Sequence, residues 1–106
     1  MFEFLKKDSV KSISINEIDD LIGKVNLIDV REPHEFKNGS LKTAKNIPMG
    51  DLTKNPSKYL KKENTYYLFC LSGARSKRTS TYLYDEGFDV VNLSGGISSY
   101  RGANRK

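Results

Sequence analysis

The segment 65-TYYLFCLSGARSKRTSTYLYDEGFDVVNL-93 decides the fold. Its first six residues are aromatic and apolar and read as a buried strand; its last five are β-branched and apolar and read as another. Between them, 75-RSKRTSTYLYDE-86 reads as a helix that Gly87 ends. A strand, a helix and a second strand in that order make a βαβ unit, whose strands run parallel and whose crossover is right-handed. Cys70, the only cysteine of the chain, stands at the end of the first strand. In open α/β sheets ligands bind just beyond the carboxyl ends of the strands. Cys70 is at such an end.

The same alternation recurs upstream. Residues 26-NLIDV-30 form a short apolar run, and 33-PHEFKNG-39 follows with Pro33 suited to a first helical position and Gly39 to a stop. Next come 44-AKNIP-48 as a brief strand and Asn55-Pro56 as the cap and first position of a helix running to about Lys62. Before all of these, 14-SINEIDDLIGK-24 carries Ser14 and Glu17 at capping-box spacing, Ile15, Ile18, Leu21 and Ile22 at helical intervals, and Gly23 at its end. The fold class is therefore α/β, with a mostly parallel sheet covered on both faces. No linker, repeat or low-complexity segment interrupts the pattern, so residues 1–106 read as one domain with its folded core over about 9–101.

Composition narrows the function. A chain of 106 residues buries a modest core, so any site is a small pocket near the surface. One cysteine excludes an internal disulfide framework and a multi-thiolate metal cage, and a free thiol suits a reducing compartment, here the cytoplasm. The opening MFEFLKKDSVKS has only four residues before two lysines, and no stretch has the apolar length of a signal peptide or a membrane span. A soluble, unexported protein without a membrane partner is expected. The net charge of +5 favours anionic partners. Nucleic acid is disfavoured, because the lysines stand singly or in pairs such as Lys6-Lys7 and Lys61-Lys62, with no dense basic stripe and no stacking platform.

The loop after Cys70 has its own chemistry. Leading into a helix near Arg75, it would turn backbone N–H groups toward its centre and form an anion cradle. Gly73 lets it curl without a Cβ clash, and Arg75 can add a guanidinium. A thiol there is expected to be acidified. A helix dipole supplies only about 0.3–1 kcal/mol, less than one pKa unit, so the amide ring and Arg75 must do most of this. On position alone, a cysteine ending an apolar strand reads equally well as a small buried hydrophobe.

The residues around it favour chemistry. Cys70-Leu71-Ser72-Gly73-Ala74-Arg75-Ser76 resembles the active-site loop of the rhodanese family, Cys-x-x-Gly-x-Arg-Ser. Upstream, 27-LIDVREPHEFKNGSLKTAKNIPM-49 is similar to that family's Asp-Val-Arg segment, its following Glu and its Asn-Ile-Pro; downstream, 87-GFDVVNLSGGISSY-100 is similar to its closing strand and Gly-Gly turn. The resemblance implies a three-layer domain with a five-stranded sheet and needs no cofactor or metal. It also implies sulfur transfer: Cys70 accepts sulfane sulfur from thiosulfate, polysulfide or a protein persulfide and passes it to a thiol, cyanide or protein acceptor. Carried over, Cys70 is the nucleophile that becomes the persulfide. The amides of residues 71–75 and the Arg75 side chain hold the anionic donor, so Leu71, Ser72, Gly73, Ala74, Arg75 and Ser76 form the substrate-binding loop, with hydroxyl help from Ser72 or Ser76. Asp29 and Arg31 match the Asp-Val-Arg motif and are expected to support the loop from the neighbouring strand end; an ordinary polar pair at a strand end explains them as well.

Two departures from the family pattern bear on packing. Gly39-Ser40-Leu41 stands where many members have Gly-His-Ile, and Tyr100 where many have Trp. The only histidine, His34, reads as a solvated surface residue, since an amide cradle acidifies a thiol without a base. With no second cysteine to resolve a persulfide, the sulfur must leave to another molecule; Leu71, Lys77 and Arg78 are candidates for the acceptor-facing rim of a monomer. A carrier or regulatory module of the same fold with little turnover is the alternative. Phosphatases and arsenate reductases use a Cys-x5-Arg loop, but Arg75 is the fifth residue after Cys70, which makes this loop one residue shorter.

Overall fold

A computed structural model describes residues 9–106. The opening residues 1–8, with Lys6-Lys7 and most of the stretch read for export signals, lie outside the described residues. Five strands form one sheet: β1 (Lys11–Ser14), β2 (Asn26–Asp29), β3 (Lys45–Asn46), β4 (Thr65–Phe69) and β5 (Asp89–Ser94). Their order is β1-β5-β4-β2-β3 and every pairing is parallel. The α-helices are α1 (Pro33–Lys37), α2 (Met49–Lys54), α3 (Pro56–Tyr59) and α4 (Ala74–Asp85), with 3-10 helices at Ile15–Asp20 and Ile97–Ser99.

Strand alternation sends side chains to two cores. Ile28, Tyr66, Leu68, Cys70 and Val90 pack with Leu52, Leu60 and Leu83 on one face, beneath α2, α3 and α4. Leu27, Phe69 and Leu93 pack on the other face with Ile15, Ile18, Leu41, Ile97 and Tyr100. A parallel sheet buried on both sides has to carry such near-continuous apolar strands.

The structure differs from the sequence reading in four elements. The helix expected over residues 14–24 is a six-residue 3-10 helix, Ile15–Asp20, although its capping interactions form: Ser14 Oγ accepts from the Asn16 amide at 3.1 Å and the Ser14 amide donates to Glu17 at 3.4 Å. Ile15 and Ile18 are fully buried while Leu21 and Ile22 are only half-buried, so burial follows the i, i+3 repeat that a 3-10 helix aligns. The helix expected from Asn55 to about Lys62 is instead the four-residue α3, preceded by an unforeseen α2. Pro56 separates the two: it drives Asn55 to φ −149°, ψ 75°, outside the helical region. β1 is the fifth strand, which the residues alone did not reveal. The strand expected over 44–48 is reduced to two residues at the sheet edge.

Both departures from the family pattern fit. The Ser40 hydroxyl donates to Asp29 at 2.8 Å and Leu41 is fully buried. The Tyr100 hydroxyl donates to Asp19 and accepts from the Asn104 amide at 2.8 Å. Beyond Tyr100 the chain returns to pair with residues 40–42, through Lys42 N to Asn104 O at 2.7 Å and Lys106 N to Ser40 O at 3.0 Å.

Candidate active site

β4 delivers Cys70 to the carboxyl end of the sheet, 1% exposed. Gly73 then takes φ +107°, a left-handed conformation that reverses the chain and starts α4. The reversal points amides back at the sulfur: Gly73 N lies 3.1 Å and Ser76 N 3.3 Å from Cys70 Sγ, and the Arg75 amide also donates to it. The cradle anticipated over residues 71–75 therefore closes on the amides of Gly73, Arg75 and Ser76. Leu71, Ser72 and Ala74 turn their side chains to solvent.

The turn after β5 locks this loop from behind. Ile97 N donates to Cys70 O and Ser98 N to Leu71 O, both at 2.9 Å. Contact is so close that a Cβ on Gly96 would lie 2.2 Å from Leu71 O and 2.6 Å from Ser72 N. Only a residue without a side chain fits there.

Burial pushes the Cys70 thiol up, but hydrogen bonds from the Ser76 hydroxyl and from the Ser76, Gly73 and Arg75 amides together outweigh it and hold the thiol below its ordinary range. Ser76 Oγ is 3.5 Å from Sγ and donates to Asn92 Oδ1 at 2.7 Å; Asn92 Nδ2 in turn donates to Ser12 Oγ at 3.1 Å. A hydroxyl has one proton. With that proton on Asn92, Ser76 accepts from the Cys70 thiol; when the thiol ionises, the hydroxyl must turn toward the sulfur. Asn92 is the one amide in the apolar run 89-DVVNL-93, the signal from which its role could have been read.

Arg75 is placed differently from expectation. Its guanidinium grips Glu35 of α1 in a two-pronged pair, Nη1 to Oε1 at 2.8 Å and Nη2 to Oε2 at 3.1 Å. Bonding to Arg75 holds the Glu35 carboxyl down at about 2. The positive charge thus faces a carboxylate; the guanidinium acts on the Cys70 sulfur through its charge, and the Arg75 amide adds a separate hydrogen bond. Glu35 was not among the expected site residues. It also accepts from the Glu32 amide at 2.9 Å, so it caps α1 and anchors the cysteine loop at once. A Glu three residues after the helix start is the capping signal that marks it.

Asp29 and Arg31 do not reach the loop. They form a buried pair, Arg31 Nη2 to Asp29 Oδ2 at 2.7 Å and Nε to Oδ1 at 2.9 Å, and Arg31 donates onward to Gly39 O at 2.7 Å. Their work is to pin the end of β2 to the turn at Gly39-Ser40, beside the helix that carries Glu35. His34 is exposed on α1.

A cysteine seated in an amide loop, between a parallel strand and a helix start, defines the class: an α/β domain built to stabilise a thiolate. The chain belongs to the rhodanese-like domain family, whose model matches residues 14–103. It is 38% identical over 79 residues to YtwF of Bacillus subtilis, a span of 74% of this chain and 76% of that one. With a sulfurtransferase of Allochromatium vinosum it shares 35% identity over 75 residues, 70% of this chain and 69% of that one. Its fold superimposes on a rhodanese-like domain protein from Staphylococcus aureus with a TM-score of 0.80 at 31% identity, covering 92% and 97% of the two chains. Relatives and fold together support sulfur transfer in general, with a sulfur donor and an acceptor as partners. Among the described residues no helix is long and apolar enough to cross a membrane.

Proposed function

We propose that the protein is a sulfurtransferase in which Cys70 carries the sulfur as a persulfide. The thiolate attacks the outer sulfur of an anionic donor such as thiosulfate; the sulfur–sulfur bond of the donor breaks and sulfite leaves with the electron pair. An acceptor thiolate or cyanide then attacks the terminal sulfur of the persulfide, and Cys70 departs as a thiolate. The observation that carries this reading is the convergence of the Gly73 and Ser76 amides on Sγ at 3.1 and 3.3 Å, which stabilises anionic sulfur both before and after transfer. A phosphatase reading is weaker: the loop from Cys70 to Arg75 is one residue shorter than the Cys-x5-Arg loop that such enzymes close around a tetrahedral oxyanion. A lone free thiol suits a reducing cytoplasmic setting, and we expect a monomer.

Intact mass of the reduced protein tests the reading. Thiosulfate or polysulfide adds one sulfur atom to the parent and none to Cys70→Ser, and cyanide removes it. A parent that takes up no sulfur from either donor while its thiol stays free refutes the proposal. Loading without turnover unless a protein partner is added identifies a carrier.

A further inference from the structure

The sulfur of Cys70 lies at the bottom of its loop, so an acceptor must extend a slender group to it. Beside the cysteine, Leu71 is 44% exposed, and the only other large hydrophobic side chain so exposed among the described residues is Tyr82, at 41%. Leu71 lines a separate groove with Arg31, Arg105 and Glu35, and Tyr82 lies among the cations of α4 and α2. Lys77 and Arg78 stand exposed on α4 between the loop and Tyr82, and Lys54 of α2 lines a shallow groove together with Met49, Arg78 and Tyr82. None of these three cations forms a salt bridge among the described residues. Of the residues lining the grooves on the two sides of Tyr82, Asp85 alone is acidic, at the far end from Cys70.

An uncovered aliphatic side chain, an uncovered aromatic ring and unpaired cations bordering a nucleophile have the composition of a docking face for an acidic partner. We propose that this face binds an acidic protein segment that ends in a thiol, and that this thiol takes the sulfur from Cys70. The proposal rests on the persulfide reading above. The partner's thiolate attacks the outer sulfur, the bond to Cys70 Sγ breaks, Cys70 leaves as a thiolate and the partner becomes the persulfide, with no external oxidant or reductant. Geometry sets the spacing. Tyr82 lies eight helical positions beyond Ala74, roughly 12 Å at 1.5 Å per residue, which an extended segment spans in about four residues. The segment therefore carries an apolar side chain about four positions from its thiol, with carboxylates between them to meet Lys77 and Arg78.

Two synthetic peptides test this, each with one terminal cysteine and a leucine four positions away, one with glutamates between and the other with lysines. Transfer from sulfur-loaded protein to each is followed by mass, beside transfer to free cysteine. The acidic peptide is expected to react on the order of tenfold faster than the basic one at low ionic strength, an advantage that shrinks as salt rises. Lys77→Glu with Arg78→Glu reverses the ratio of the two peptide rates, and Tyr82→Ala weakens the preference while leaving transfer to free cysteine at the parent rate. Equal rates for the two peptides, or a preference that survives the charge reversal, overturn the proposal. Binding of the labelled acidic peptide to unloaded protein, read by fluorescence anisotropy, examines the face even if Cys70 accepts no sulfur. Binding without loading refutes only the persulfide reading, and absence of binding refutes the docking face.

Discussion

Replacing Gly96 by alanine drives a methyl group into the backbone of the loop that carries Cys70. Gly96 has φ +69° and ψ 178°, a region that residues with a Cβ enter at a cost of about 1–3 kcal/mol. Its added methyl would stand 2.2 Å from Leu71 O and 2.4 Å from Leu71 C, and both are backbone atoms that cannot swing aside. The turn must therefore retreat, losing the hydrogen bonds from Ile97 N and Ser98 N to the cysteine loop, at about 1 kcal/mol each. The sum is about 3–5 kcal/mol, a large part of the roughly 5–15 kcal/mol that holds a domain of this size. At about 4–8 °C per kcal/mol, Gly96→Ala should melt at least about 12 °C below the parent. The loosened loop should also bring the thiol back toward its ordinary range, moving the midpoint of iodoacetamide alkylation to higher pH. Gly50→Ala is the matched control. Nothing lies within 4 Å of its Cβ position and it sits in α2, so the same chemical change should stabilise by about 0.5–1 kcal/mol. If Gly96→Ala melts with the parent and alkylates along the same pH curve, the turn does not brace the loop and the argument fails.

Other outcomes follow from the same geometry. Ser76→Ala removes the hydroxyl that lowers the Cys70 thiol and should move the alkylation midpoint to higher pH; Asn92→Leu frees that hydroxyl to face the sulfur and should move it to lower pH. Midpoints that shift in the same direction would contradict the relay. The Glu35 carboxyl is held at about 2, below its ordinary range, so its contribution to stability is complete above about pH 5 and is lost as pH falls toward 2. Denaturant unfolding of Glu35→Gln should accordingly show a deficit of about 1 kcal/mol at neutral pH that closes over that acid range. Asp29→Ala strands a buried guanidinium and should cost about 3–5 kcal/mol by the same assay. Ser80 Oγ is buried without a hydrogen-bond partner among the described residues, so Ser80→Ala should hold or raise the melting temperature, and a fall would show that the hydroxyl is satisfied after all.

Much of the fold and of the site was legible because it rests on local signals. The strands at 26–30, 65–70 and 89–93 announced themselves by short, mainly apolar runs, and α4 by its length and Gly87. The short elements did not. β1 is four residues with one large apolar side chain, Ile13, and α2 is six residues with one buried one, Leu52, too little for either period to appear. In the site, the cysteine, the glycine that curls the loop and the start of α4 lie together in the chain and could be read together. Arg75 reads locally as an anion clamp, because its partner is forty residues away in sequence, on α1. Asn92 stands out as the one amide of its apolar run, but that it and Gly96 reach the loop follows only from the pairing of β4 with β5.

The position of β1 has a consequence for how the molecule comes into being. The first strand lies beside the last, Lys11 opposite Val91 and Ser14 opposite Ser94, and no short-range contact can stand in for that pairing. The ordering of a segment of some eighty residues must precede the contact that rewards it, so the final step of folding closes a long loop and is slow for a domain of this size. A chain still emerging from the ribosome holds Cys70 before the turn at Gly96 exists to brace its loop. The loop that seats the sulfur is thus unbraced throughout synthesis and is fixed in place only when β5 and its turn arrive, so the positioned reactive centre and the completed fold appear together.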